Sequence, residues 1–414
     1  MPPRILPLVY FYGAHICLVW AFVLLALRTA SIGAFFFHPR MFAVVHLITL
    51  GWITPSILGA TYLVAPLALR TTLRAGRLDA IACGSYWLGV SGVVMHFWLD
   101  GYWGVATSGP FLIFSFAVVG ARLWSALRRS RAPLPVRWII ACGYGNVLLA
   151  ATLGSLVALH RVYPILPGTQ LENALAHAHL ATIGWATMLF VGVGARLLPM
   201  FLPAAPPPEG PLWGVLVLLE GGILALTCAL LRSASWAFYA ALAVAAGLAL
   251  FLGLVVWMLR HSRPPPKKMP RPDPGKLQAL LALVSLVGAI GVGLFLVGAD
   301  EWHLGWTMVY GVLGLVGFLA QAIAGVGARL LPMFAWLQAW VRGGYDELPV
   351  SQYAMASRPL QFVSVVCWAV GVPLLAWGLA RGAPTVGAAG AWALAAGVTL
   401  GLFNLVRITR AMRV

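Results

Sequence analysis

Two histidines lie one residue apart in an otherwise apolar segment, at His177 and His179 of HAHLATIGW. A similar segment, HLITLGW, begins at His46. Imidazole is a common ligand of transition metals and of haem iron, and ionisable side chains inside a membrane are costly and usually functional. The two segments therefore predict a haem or metal site that is built from more than one helix.

Helix geometry limits how these histidines combine. Residues i and i+2 point about 200° apart, since each residue turns the helix by about 100°, so His177 and His179 serve different sites. A bis-imidazole haem needs one histidine from each of two helices at similar depth. We expect His46 and His179 to form such a low-spin pair. We expect His177 to bind a second haem or another metal, or to donate a hydrogen bond.

The composition indicates an all-α polytopic membrane protein. The chain has 414 residues, of which 61% are hydrophobic and 9% charged, whereas soluble domains contain about 25% charged residues. Apolar stretches of about 20 residues predict transmembrane helices. Twelve such helices are expected near residues 7–28, 40–68, 79–99, 108–127, 138–159, 174–200, 211–231, 235–259, 277–298, 304–334, 359–380 and 386–408.

The net charge of +17 reflects membrane orientation and not a nucleic-acid partner. With the N-terminus inside, most of the 27 basic residues fall on the inner side, and the outer side keeps only Arg28, Arg40, Arg161, Arg232 and Arg381. The positive-inside rule then places both termini in the cytoplasm of a bacterial inner membrane, with lipid as an expected partner. The five cysteines form no CxxC motif, so no thiolate metal site is predicted.

An internal repeat organises the chain. GVGARLLPMF occurs at residues 192–201 and again at 325–334, an offset of 133 residues, and the same offset relates His46 to His179. A single membrane domain, 1-414, of three pseudo-symmetric arcs of four helices is therefore expected. The units are predicted at about 1-75, 76-205 and 206-340, with 341-414 completing the bundle.

The third copy carries Tyr310 and Val312 where the second carries its two histidines. The repeat therefore specifies the fold, while the histidines are a specialisation of two units. Seven of the nine histidines fall in one outer layer, namely His38, His46, His96, His160, His177, His179 and His303. Four of them, at 38, 96, 160 and 303, are candidate copper or second-site ligands, with a structural interfacial role as the alternative.

Carboxylates add two further hypotheses. Glu220 lies deep in a predicted span and is a candidate proton relay, or else a neutral acid held by a hydrogen bond. Outer carboxylates could orient the imidazoles or remain solvated loop charges; they are Asp100, Glu172, Asp300 and Glu301.

Spans two and six resemble the haem–copper oxidase subunit I superfamily. HLITLGWITPSILGATYLVAPL is similar to the family's second span, and HAHLATIGWATMLFVGVGARLLPMF is similar to its H-x-H helix, closest to the cbb-type oxidases and nitric oxide reductases. The twelve-span NnrS-like haem–copper proteins are an alternative relative. The resemblance implies His46 and His179 on a low-spin haem b and His177 on a high-spin one. It does not extend to the family's three-histidine copper site, and the family's H-x-H lies on its tenth span.

The sequence therefore predicts a membrane redox protein with one or two haem b groups, and possible copper. Electron transfer, or oxidoreductase chemistry on O2 or NO, is expected in respiration or nitrosative stress. A periplasmic cytochrome or a quinol is the expected electron donor, and other respiratory subunits are possible partners. Two alternatives are a proton-coupled copper or small-molecule transporter that uses the outer histidines, and a haem-free structural subunit of a respiratory complex.

Overall fold

The computed structural model describes residues 5–73, 75–264, 270–299, 301, 303–343 and 351–412, which form an all-α protein. Twelve of its helices are long and apolar enough to span a membrane, which confirms the predicted polytopic fold. We number them α1 Ile5–Leu27, α2 Pro39–Ala68, α3 Arg77–Trp98, α4 Tyr102–Arg129, α5 Leu134–His160, α6 Gln170–Phe201, α7 Glu209–Leu231, α8 Ala237–Arg260, α9 Pro274–Gly298, α10 Leu304–Arg342, α11 Arg358–Ala380 and α12 Pro384–Ala411.

Most predicted boundaries lie within a few residues of the observed ones. Two helices are longer than expected: α4 begins at Tyr102, six residues before the expected start, and α10 continues eight residues beyond 334 to Arg342. Hydropathy detects only the apolar part of a helix, whereas backbone hydrogen bonds continue through flanking polar turns.

Each of α2, α6 and α10 contains a π-helical segment at the same place in the repeat. The segments are Thr49–Ile53, Leu180–Thr187 and Val312–Ala320. They begin within three residues of the second histidine position of each copy. A π-helical turn interrupts the regular α-helical hydrogen-bond pattern and often marks a functional site, so the local backbone is distorted next to each of the three positions.

Tryptophans within two of the π segments tie these three helices together. The indole N–H of Trp52 donates to the carbonyl oxygen of Ala320 at 3.2 Å, and that of Trp185 donates to the hydroxyl of Thr54 at 3.2 Å. Trp52 and Trp185 are one repeat offset apart, and the same contact therefore joins α2 to α10 and α6 to α2.

Arginines make a second repeated contact on the side of the termini. Arg196 donates to the carbonyl oxygen of Ala68 at 3.2 Å, and Arg329 donates to that of Phe201 at 2.8 Å. Each arginine thus satisfies an end carbonyl of the preceding equivalent helix, which has no intrahelical partner. The equivalent residues Val64, Leu197 and Leu330 share one apolar cluster. The three helices therefore surround a common axis, while the exact limits of the three units stay a prediction.

Candidate functional site

A cavity of about 640 Å³ lies at the end of the bundle away from the termini. Its lining includes His46 of α2, His177 and His179 of α6, and Tyr310 of α10. Cofactor pockets usually measure about 300–1,000 Å³ and are mainly apolar with a few placed polar groups. This histidine cavity has the size and the composition of a cofactor site.

His46 is held in one orientation by its own helix. Its Nδ1 lies 2.7 Å from the carbonyl oxygen of Phe42, one turn earlier. A carbonyl only accepts hydrogen bonds, so Nδ1 carries the proton and Nε2 keeps its lone pair. The ring of Phe97 packs against the imidazole with centroids 4.8 Å apart. His46 therefore presents a fixed Nε2 that is able to ligate a metal.

His177 is oriented by the neighbouring helix α5. Its Nδ1 donates to the carbonyl oxygen of Ala150 at 2.9 Å, which again leaves the lone pair on Nε2. One turn further along α5, Gly154 lies under the ring, and a Cβ there would be 2.6 Å from Cε1 of His177. The missing side chain at Gly154 is therefore what allows the imidazole to occupy this position.

The His46 and His177 rings lie next to each other in the cavity lining. Their planes are inclined by 11° and their centroids are 6.3 Å apart. If both Nε2 atoms pointed at one metal ion, two metal–nitrogen bonds of about 2 Å each, plus the distance from each ring nitrogen to its ring centre, would span roughly this distance. Neither Nε2 has a hydrogen-bond partner among the described residues. Two imidazole nitrogens with free lone pairs thus lie close together on neighbouring helices.

His179 makes a different arrangement with α10. Its Nδ1 donates to the carbonyl oxygen of Leu175 at 2.8 Å, and its Nε2 lies 3.1 Å from the hydroxyl of Tyr310. Because Nδ1 holds the proton, Nε2 accepts a hydrogen bond from the phenol. The ring centroids are 5.9 Å apart. Both nitrogens of His179 are therefore satisfied by the protein.

The structure thus pairs His46 with His177, whereas the sequence led us to expect His46 with His179. The two histidines of α6 point to opposite sides, as predicted, but it is the His177 side that meets α2. The side that carries His179 meets α10 instead. The repeat offset predicts a similar depth for His46 and His179. It does not determine which side of α6 is covered by α2 and which by α10.

Both pairs follow one rule of the repeat. His46 and His177 are separated by 131 residues, and so are His179 and Tyr310. At the third contact, between α10 and α2, the equivalent residues are Val312 and Val44, both buried and both part of the cavity lining. We call the helix contact at His46 and His177 the first interface, that at His179 and Tyr310 the second, and that at Val312 and Val44 the third. Tyr310 was noticed in the sequence only as a lost histidine, although the offset could have paired it with His179.

Arg161 supplies positive charge to the histidine cavity, which it lines. Its guanidinium lies 5.4 Å from the ring centroid of Tyr102, which in turn packs on Phe97 beside His46. The ion pairs found among the described residues involve Arg122 and Arg329 and not Arg161. Sequence reasoning used Arg161 only to assign orientation, yet its charge is available to an anionic ligand.

The four remaining outer histidines do not line the cavity. His38 and His160 accept hydrogen bonds from backbone N–H groups at Nδ1, His96 donates to the carbonyl oxygen of Gly92, and His303 stacks on Phe295. Within the described ranges, no group of three or more His, Cys, Asp or Glu side chains could hold a metal ion. Copper binding by these histidines stays a prediction.

Glu220 lies outside the histidine cavity, beside α5 and α6. Its carboxylate accepts a hydrogen bond from the side-chain amide of Asn146 at 2.8 Å, and the same amide contacts the carbonyl oxygen of Gly184 at 3.0 Å. This network ties α7 to the π segment of α6. Its partner gives Glu220 a structural role, while proton relay stays a prediction.

Among the outer carboxylates, Glu172 caps α6 through Thr169, and Asp300 lies outside the described residues.

No protein-family model matches the chain, and no curated protein matches it.

The donor set of the first interface fits a haem. Haem iron takes two imidazoles in low-spin proteins, and ligating histidines usually donate their other N–H to a carbonyl or carboxylate, as His46 and His177 do. The apolar lining suits the macrocycle, and Arg161 at the cavity suits its carboxylates. By contrast, the second interface presents one imidazole that is already hydrogen-bonded.

Proposed function

We propose that this protein is a membrane-bound b-type haem protein with a haem–copper-oxidase-like or NnrS-like arrangement of helices, and that it transfers electrons. The observation that carries the proposal is the neighbouring pair His46 and His177, whose ring centroids are 6.3 Å apart, with both Nδ1 atoms fixed on carbonyls and both Nε2 atoms free. A bound haem would supply a one-electron redox centre inside the membrane.

Electron transfer is favoured over O2 or NO chemistry by the same geometry. His46 and His177 would both be available to hold the haem, and a haem held by two imidazoles supplies electron transfer, whereas gas chemistry requires an open position on the iron. The protein's contribution is to fix the two ligands, to exclude water with an apolar lining, and to balance charge with Arg161. A bacterial inner membrane with cytoplasmic termini, and a periplasmic cytochrome or a quinol as donor, complete the proposal.

The test is a reduced-minus-oxidised spectrum and a pyridine haemochrome assay on the purified protein. Unaltered protein should contain one haem b per chain. His46→Ala and His177→Ala should each remove it. His179→Ala is the matched control, since it removes an imidazole two residues away on the same helix and should leave the haem content unchanged.

Other outcomes would contradict the proposal in distinguishable ways. Loss of haem in His179→Ala with retention in His177→Ala would restore the pairing of His46 with His179. Bound copper without haem would favour the transporter alternative. A protein without haem or copper, expressed with haem in excess, would favour the haem-free subunit.

A further inference from the structure

A second cavity lies in the opposite half of the membrane-spanning layer, on the side of the termini. It measures about 80 Å³ and is lined by α1, α2 and the last four spans, α9 to α12. One water occupies about 10–15 Å³ on a comparable scale, so this inner cavity has room for roughly six water-sized atoms, about one small ring. Its lining comes from the first and third predicted units and from the segment that completes the bundle. The third interface, with Val44 and Val312, joins the same first and third units nearer the other end of the bundle.

Two side chains that line the inner cavity have unused hydrogen-bonding capacity. The hydroxyl of Ser56 and the amide nitrogen of Gln278 have no partner among the described residues, and the two residues are only 2% and 4% exposed. Buried polar groups are normally paired, because an unpaired one costs about 1–3 kcal/mol. Two unpaired groups on one small cavity indicate a polar occupant.

His15 adds an acceptor to the same cavity. Its Nδ1 donates to the carbonyl oxygen of Phe11 at 2.7 Å, which leaves the lone pair on Nε2. The position of Gly401 lies next to this atom, since a Cβ there would be 3.5 Å from Nε2. His15 is the one histidine of the spans that lies outside the outer layer, and the histidine cavity does not use it.

Aromatic rings complete the lining. Trp52 meets His15 edge to face with centroids 4.9 Å apart, and Trp368 lines another part of the cavity. The described lining contains no Asp, Glu, Lys or Arg. A charged ligand would therefore have no counter-charge, whereas a flat neutral ring that carries hydroxyl or carbonyl oxygens would match both the aromatic and the polar groups.

We infer that the inner cavity is a quinone site that binds the ring of a lipid-soluble quinone in its reduced, hydroquinone form. A ring hydroxyl donates to Nε2 of His15, and the amide of Gln278 donates to the other ring oxygen. Access from lipid suits the position, because α9 is the least buried span, with 17% of its apolar window buried. Water alone is the competing occupant.

The inference rests on the proposed function, for which it selects the class of electron donor. Trp52 lies six residues after His46 on α2, about 9 Å along the helix axis at 1.5 Å per residue. The inner cavity and the first interface are thus joined by a single helix. A hydroquinone bound here would be close to a haem held by His46 and His177.

The experiment measures binding of 1,4-hydroquinone, a single ring whose hydroxyl groups can donate to Nε2 of His15 and accept from Gln278, to the full-length protein by equilibrium dialysis under nitrogen against protein-free micelles of the same detergent. His15→Phe and Gln278→Leu should each weaken binding about tenfold, since each removes a hydrogen bond to a desolvated oxygen. His15→Gln retains an acceptor and should recover most of the affinity. Ser364→Ala is the matched control, because its hydroxyl in the same lining already donates to the carbonyl oxygen of Gly397 at 2.9 Å.

Haem content, measured on the same samples, separates the two proposals. Normal haem content with no saturable binding of 1,4-hydroquinone, or with equal binding in His15→Phe, Gln278→Leu and the unaltered chain, would overturn the quinone site and leave the haem proposal intact. Saturable binding that these two variants weaken would support the quinone site. If the unaltered chain showed such binding but contained no haem after expression with haem in excess, the proposed function would fail and the quinone site would stand.

Discussion

The first and second interfaces have the same backbone arrangement and opposite chemistry. In both, a residue of one helix meets a residue 131 positions later on the next equivalent helix. The first interface brings two imidazoles together with both Nε2 atoms free. The second joins an imidazole to a phenol by a direct hydrogen bond of 3.1 Å. A single side chain, histidine at 177 against tyrosine at 310, therefore distinguishes a pair of imidazoles with free nitrogens from a direct hydrogen bond.

This difference shows that a repeated fold can carry a histidine pair at one of its three equivalent helix contacts and not at the other two. The π segments recur in all three helices and the tryptophan contact in two of them, with Phe318 at the third position, so the three interfaces have a similar backbone arrangement. Site chemistry is then set by residue type at two positions per unit. Each prediction below changes one interface and leaves the other as its internal reference.

Tyr310→His should have the largest effect, because it converts the second interface into a copy of the first. His179 would then face an imidazole, and both interfaces would offer two nitrogen ligands. We expect haem content to rise from one to two per chain, measured by pyridine haemochrome. The double variant with His177→Ala should return to one haem, now held at the second interface. An unchanged haem content in Tyr310→His would show that the frame, and not the residue type, limits the second interface.

Gly154→Ala should weaken the first interface by steric displacement of His177. A Cβ at this position would lie 2.6 Å from Cε1 of the imidazole, and forcing an extra methyl group into a packed site costs about 1–3 kcal/mol. Haem affinity should fall about tenfold, since 1.4 kcal/mol corresponds to a factor of ten.

Gly145→Ala provides the control for this substitution. It adds the same methyl group on the same helix, at a position where a Cβ meets nothing within 4 Å. Haem titration of the two apoproteins measures the difference. Equal affinities would mean that His177 does not ligate.

The predicted features that hold in the structure are those that a single helix or a repeat determines. Apolar length predicted the twelve spans, and the 133-residue offset predicted that α2, α6 and α10 are equivalent. The 100° turn per residue placed His177 and His179 on different sides of α6. Which neighbour covers each side depends on packing between distant segments, and so the pairing of His46 with His177 became visible only in three dimensions.

Two residues at the histidine cavity that belong to no sequence motif, Gly154 and Arg161, were not predicted as part of the site. Gly154 matters because the ring of His177 packs against α5 at this position. Arg161 matters because the turn after α5 places it in the cavity lining. Neither residue type at that position is unusual in sequence. The inner cavity shows the same limit, since it combines residues of α1 and α2 with residues from the last four spans.

Arg161→Gln should affect the first interface moderately. The substitution keeps a polar side chain and removes the charge that lines the histidine cavity. An exposed charge pair contributes about 0.2–1 kcal/mol, so we expect haem affinity to fall two- to fivefold, with a larger difference at low salt because screening is weaker there. Arg232→Gln, another outer arginine, is the control. An affinity that does not change at any ionic strength would contradict a role for Arg161 in charge balance.

Tyr310→Phe should have the smallest effect, because it removes one hydrogen bond from the second interface and adds no ligand. A hydrogen bond of this kind contributes about 0.5–1.5 kcal/mol, so the free energy of unfolding should fall by about 1 kcal/mol in detergent. Tyr239→Phe, at a side chain that is 71% exposed, should leave it unchanged. Haem content should remain at one per chain, since His179 still lacks an opposing imidazole. A second haem in Tyr310→Phe would instead mean that the phenol itself closes the second interface, and that His179 alone is sufficient to bind iron once Nε2 is released.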